Sequence, residues 1–133
     1  MHDARRVLIF RTLVDDEGDS ATFLAFFLPS REKAQEVNRI LQDNGAGAIS
    51  FAENTWHYYP KWEHLINGST VCSSGWPFSN RDGRKRVIYD QEALPNSAGI
   101  MNKLLVYQVP VKLSEERLQQ IDAAMAKAAA ELG

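Results

Sequence analysis

Apolar and polar positions alternate first over Arg6–Val14, where Val7, Ile9 and Arg11 point one way and Leu8, Phe10 and Thr12 the other. That period of two predicts a strand. Asp15-Asp16-Glu17-Gly18-Asp19 then reads as a five-residue loop, with Gly18 placed to take a positive φ. Thr22–Leu28 follows as a second strand, apolar on both faces, which predicts a central strand covered on both sides. Together they form an antiparallel hairpin.

The period changes after Pro29. Ser30 reads as an N-cap and Glu32 as a first-turn acid, and Ala34, Val37, Ile40 and Leu41 form one apolar stripe at helical spacing. Asn44-Gly45 ends this helix, with Gly45 in the left-handed position past its C-terminus. Ala48–Ala52 is a third short strand. Residues 67–90 are weakly patterned and carry turn signals at Asn67-Gly68-Ser69, Ser73-Ser74-Gly75 and Asn80-Arg81-Asp82-Gly83, a length that marks a functional or partner-held loop. Asn96–Lys103 reads as a short helix and Leu104–Val111 as a fourth strand, with Pro110 at or just past the sheet edge. Ser114 caps a last helix whose buried face is Leu118, Ile121, Met125, Ala128 and Leu132. Hairpin, helix, strand, strand and helix predict an α+β fold. It is a two-layer sandwich, a small, mostly antiparallel sheet of about four strands with helices packed on it, formed by residues 1–133 as a single domain.

Composition narrows the function. At 133 residues the chain is long enough to build a core without disulfides or metal, and its hydrophobic share of 44% is ordinary for a globular protein. A formal charge of −2 argues against nucleic-acid and anionic-membrane partners, which reward clustered Lys and Arg. The short cluster Arg84-Lys85-Arg86 reads as a solvated turn. The single Cys72 has no internal disulfide partner and fits a reducing cytoplasm. The most apolar run, Leu24–Leu28, ends at Pro29, far short of a membrane span, and the first residues carry no signal-peptide pattern.

The chemistry concentrates in Trp56-His57-Tyr58-Tyr59-Pro60-Lys61-Trp62-Glu63-His64-Leu65. Two of the three Trp, two of the four Tyr and two of the three His of the chain lie there. Such rings give contact area at low entropic cost and each carries a polar tip, so the segment reads either as an interface or ligand wall or as a second hydrophobic patch under the long loop. His57 and His64 lack a third ligand at zinc spacing. Cys72 is read as inert and partly buried, the other reading being a nucleophile working with His57 or His64. Gly45-Ala46-Gly47 follows a helix rather than opening one, which favours a C-terminal cap over a phosphate loop.

Three features occur in an order that resembles the small C-terminal domain of the DegT/DnrJ family of sugar aminotransferases, which use pyridoxal phosphate. They are the hairpin with Pro29-Ser30-Arg31-Glu32 and a helix ending at Asn44-Gly45, the run from His57 to Leu65, and Leu94-Pro95-Asn96 followed by Leu105–Glu116. The resemblance extends from about Val7 to Leu132, and the Trp-His-Tyr version is most similar to members acting on eight-carbon sugars, of the amino-Kdo transaminase type. It implies a fold like the small domain of type I aminotransferases and a role in lipopolysaccharide or other cell-surface polysaccharide biosynthesis. It also implies that His57, Tyr58 and His64 lie nearest the substrate or a dimer partner, with Trp56 and Trp62 stacking on a sugar face. None of Lys33, Lys61, Lys85, Lys103, Lys112 and Lys127 matches the family's Schiff-base lysine. The resemblance therefore implies a detached small domain with no catalytic residue, no bound metal and no cofactor of its own. Pyridoxal phosphate would belong to the full-length enzyme, with the large domain or a second protomer as partner, a sugar as substrate and a homo-oligomer as the assembly. The alternative is a free-standing small-molecule-binding or regulatory α+β domain.

Overall fold

The computed structural model describes residues 8–79 and 87–132. Arg6 and Val7 of the expected first strand, the Asn80–Gly83 turn and the Arg84–Arg86 cluster lie outside the described residues. The chain divides into two compact units, one formed by Met1–Ala52 with Met101–Gly133 and the other by Glu53–Ile100.

The first unit is α+β. Its strands are β1 (Ile9–Phe10), β2 (Phe23–Phe27), β3 (Ile49–Ser50) and β4 (Leu104–Gln108), joined in one antiparallel four-stranded sheet of order β1-β2-β4-β3. Two helices, α1 (Arg31–Asp43) and α4 (Glu115–Glu131), complete the unit. Register places Phe26 opposite Leu105 and Leu24 opposite Tyr107. These residues pack with Val37 and Leu41 of α1 and with Ile121, Ala124 and Ala128 of α4 into a single core. Alternation along β2 and β4 thus sends one set of side chains to the helices.

Local chemistry explains where the helices begin and end. Ser30 Oγ accepts from the Lys33 N–H at 3.3 Å and Ser114 Oγ from the Arg117 N–H at 3.2 Å, as the N-cap readings require. Gly45 has φ +74, and its N–H donates to the Gln42 carbonyl at 2.9 Å. α4 then seals this end of α1: Gln120 Nε2 donates to the Asn44 carbonyl at 3.2 Å and Lys127 Nζ to Asn44 Oδ1 at 3.4 Å.

Several expected elements are shorter. Among the described residues, ladder pairing of the first strand covers Ile9 and Phe10, although the Arg11 N–H still donates to the Ala25 carbonyl at 3.0 Å. Beyond Arg11 the loop bonds to itself: Asp15 Oδ1 accepts from the Glu17 N–H and Asp19 Oδ1 from the Ala21 N–H. Such side-chain-to-backbone bonds compete with a strand ladder. The positive φ in this loop falls on Ala21 (φ 51), not on Gly18. The third strand ends at Ser50 because Phe51–Glu53 turns into a 3₁₀ helix. Leu118, expected on the buried face of α4, is 43% exposed, since the first turn of that helix lies outside the packed stretch. The outward face of the sheet is apolar but not fully covered: Ile9, Phe23 and Ile49 all remain exposed.

The second unit is built of turns and short helices. A 3₁₀ turn at Tyr59–Lys61 leads into α2 (Glu63–Ile66), and α3 (Pro95–Met101) closes the segment. Between them Thr70 Oγ1 donates to the Trp76 carbonyl at 2.7 Å, and Phe78 meets Tyr89 edge-on at 6.0 Å. No helix among the described residues is long and apolar enough to cross a membrane.

Candidate functional site

Asn54 starts the site. Its Oδ1 accepts from the Trp56 N–H at 2.9 Å and from the His57 N–H at 2.7 Å, so one side chain fixes the turn that presents both rings. The chain next enters the 3₁₀ turn, where Pro60 suits a first-turn position because it has no N–H to leave unpaired. The Trp62 N–H donates to the Tyr59 carbonyl at 3.0 Å, and the Trp62 carbonyl accepts from Leu65 and Ile66, opening α2. Trp62 is therefore the joint between two helical turns, and its ring direction follows from both.

The ring is held as firmly as the backbone. Trp62 Nε1 donates to the Trp56 carbonyl at 3.1 Å. Tyr59 meets Trp62 edge-on, with centroids 6.2 Å apart and planes at 73°, while His64 lies nearly parallel to it at 6.4 Å and 27°. Edge and offset contacts of this kind are the favoured aromatic geometries. Trp56, in contrast, is 82% exposed. Thr55, Trp56, Trp62, His64 and Leu65 line an open cleft of about 390 Å3. That volume falls within the range of roughly 300–1,000 Å3 usual for small-molecule sites.

Of the five candidate residues, the cleft brings together Trp56, Trp62 and His64. Tyr58 is buried, at 7% exposed, and His57 is exposed; neither belongs to the cleft lining. Thr55 and Leu65 join the lining without having been singled out. Asn54 was findable, since an Asn two residues before a ring-rich run is a turn signal. Asp90 and Gln91 were not, because nothing local links them to a segment 31 residues away.

Chemically, the arrangement offers flat apolar rings flanked by an imidazole and a hydroxyl. Such rings offer flat stacking surface, and His64 and Thr55 carry donor and acceptor groups beside it. Among the described residues no group of three His, Cys, Asp or Glu is placed to hold a metal ion. Cys72 is exposed rather than partly buried as expected, because it lies in the turn-rich 67–79 stretch, and its sulfur lies 3.0 Å from Ser74 Oγ. Hydrogen bonding from the Ser74 hydroxyl, then from the backbone N–H of Ser74 and of Trp76, holds the thiol below its ordinary pKa.

The described lysines lie at the surface or in local polar contacts. Lys33 Nζ is 2.8 Å from Glu36 Oε2, Lys61 Nζ is 3.3 Å from Glu53 Oε2, and Lys127 bonds Asn44; Lys103 and Lys112 are solvent-exposed. A Schiff-base lysine needs a recess that favours the neutral amine. Lys85 lies outside the described residues. No protein-family model matches the sequence.

Proposed function

We propose that this chain is the C-terminal small domain of a pyridoxal-phosphate-dependent sugar aminotransferase of the DegT/DnrJ kind, and that its aromatic cleft receives the sugar. The observation that carries this reading is the cleft of Trp56, Trp62 and His64, which combines stacking rings with a polar edge. The α+β sheet-and-helix unit and the capped helices at Ser30 and Ser114 support it, because they are the elements on which the resemblance rests. In this reading the cofactor and its lysine belong to other polypeptide, either a large domain or a second protomer, and the assembly is a cytoplasmic homo-oligomer. The substrate is a keto-sugar or nucleotide sugar of cell-surface polysaccharide synthesis.

The test mixes the chain with pyridoxal phosphate, dialyses it and records the Schiff-base absorbance. Loss of the cofactor on dialysis is the expected result, and a stable adduct at one defined lysine overturns the proposal. Light scattering checks the assembly, which a monomer at high concentration would contradict.

A second reading, a free-standing sugar-binding domain, is favoured by one fact. Every lining residue of the cleft lies between Thr55 and Leu65, so recognition needs no other segment to complete the wall. Calorimetry of the chain against a panel of nucleotide sugars separates the two readings. Saturable binding with high affinity supports the second, and silence across the panel removes it.

A further inference from the structure

The geometry points to Tyr59 and Gln91 as positioning residues that brace the aromatic cleft from outside it, an inference that rests on the sugar-site reading above. Two hydrogen bonds, each spanning 31 residues, join the cleft segment to the turn that begins at Asp90. Tyr59 Oη donates to the Asp90 carbonyl at 2.7 Å, and Gln91 Nε2 donates to the Pro60 carbonyl at 3.1 Å. The two are reciprocal: each segment contributes one side chain and receives on one backbone carbonyl. A rotation that preserves one of them stretches the other.

The acceptor side is itself fixed. The Asp90 carbonyl also accepts from the Ala93 N–H at 3.2 Å, and Asp90 Oδ1 accepts from the Glu92 N–H at 2.9 Å. Such an Asp-led turn holds its own backbone. The donor side transmits the constraint along a short path. Tyr59 and Pro60 form the 3₁₀ turn, Trp62 bonds the Tyr59 carbonyl, and the Trp62 carbonyl begins the helix that carries His64. The Tyr59 ring also meets Trp62 edge-on. One residue therefore sets the stacking wall through its backbone, its ring and its hydroxyl. Neither Tyr59 nor Gln91 lines the cleft, so the brace acts by orienting the residues that do.

The test removes donors while keeping shape. Tyr59→Phe retains the ring and loses the hydroxyl; Gln91→Met retains length and loses the amide. In a Trp56→Phe, Trp76→Phe background of the full chain, Trp62 is the only indole. Each substitution should then raise acrylamide quenching of Trp62 and weaken its near-ultraviolet dichroism, with the far-ultraviolet spectrum unchanged. In the full-tryptophan protein, methyl β-D-glucopyranoside serves as probe, because its ring presents axial C–H groups on both faces. Its affinity should fall about two- to tenfold in either variant, the effect of one net hydrogen bond. Unaltered quenching and dichroism in both variants overturn the brace. Altered quenching with no sugar binding by the unsubstituted chain supports the brace and removes the free-standing sugar-binding reading instead.

Discussion

The indole N–H of Trp62 donates to the main-chain carbonyl of Trp56 at 3.1 Å, so the one polar atom of that ring is engaged within the wall of its own cleft. Trp62 therefore presents an apolar plane to the cleft, whose lining also carries the polar side chains of His64 and Thr55. Trp56 contributes its backbone to this bond while its side chain stays free in solvent.

Trp56→Ala separates these two contributions. The carbonyl remains, so the Trp62 orientation and the fold should persist, while a sugar loses one stacking face. The expected loss is about 1 kcal/mol of binding, near the scale of aromatic contacts. Titration calorimetry measures the binding and thermal unfolding checks the fold. Undiminished binding with Trp56 removed would take that ring out of the site.

Acid should loosen the first unit. The Ala21 N–H, and next the Arg11 guanidinium 2.7 Å away, hold the Asp19 carboxyl below its ordinary range. The Ser30 hydroxyl lowers Glu32, and Lys33 lowers Glu36. Each folded-state pKa lies below its unfolded value. The stabilisation is therefore fully present above the ordinary carboxylate range and is lost as pH falls through the folded values. Glu32 is exposed and Asp19 and Glu36 are half-buried with part of their surface in water, so the effect is small and salt-screened. Urea midpoints measured from neutral pH to below pH ~4 should decline, and Asp19→Asn should flatten the curve.

Two positive-φ positions predict opposite outcomes. At Gly45 (φ +74) an added Cβ meets Gln120 Nε2 at 2.6 Å, displacing the side chain that closes the end of α1. Gly45→Ala should cost about 1–2 kcal/mol, the strain of the left-handed region alone. Ala21 already carries that strain at φ 51. Ala21→Gly relieves it, partly offset by about 0.5–1 kcal/mol of added backbone entropy, and should stabilise slightly. Denaturant unfolding of the two variants gives the signs, and equal signs would contradict this account.

These backbone positions also show what the sequence could reveal. Caps are local chemistry, so Ser30, Ser114 and Gly45 were all legible, as was the central placement of β2, whose apolar run is bonded on both sides. Strand length was not, because it depends on a partner. β1 has a partner only where β2 lies beside it, and Asp15 and Asp19 supply competing bonds beyond. The aromatic run was visible as a concentration of rings, yet its division into cleft-lining and buried members was not. Trp62 and His64 lie two apart across the start of α2, whereas Tyr58 precedes the 3₁₀ turn and is buried. Proline and helix starts decide that division, and simple periodicity does not report them.

Cys72 gives a last, independent check. Its thiol is exposed and its pKa is lowered chiefly by the Ser74 hydroxyl, so a larger thiolate fraction is present at neutral pH than for an ordinary cysteine. Alkylation by iodoacetamide, followed by mass spectrometry against pH, should show a midpoint below that of a free thiol. Ser74→Ala should move it back up, and a midpoint unmoved by that change would contradict the assigned cause. Among the described residues the side chain bonded to this sulfur is the Ser74 hydroxyl, at 3.0 Å. Cys72→Ala should accordingly leave sugar binding at the cleft unaltered. A lost activity in that variant would reinstate a nucleophilic thiol working with His57 or His64, and would displace the reading of the chain as a binding wall.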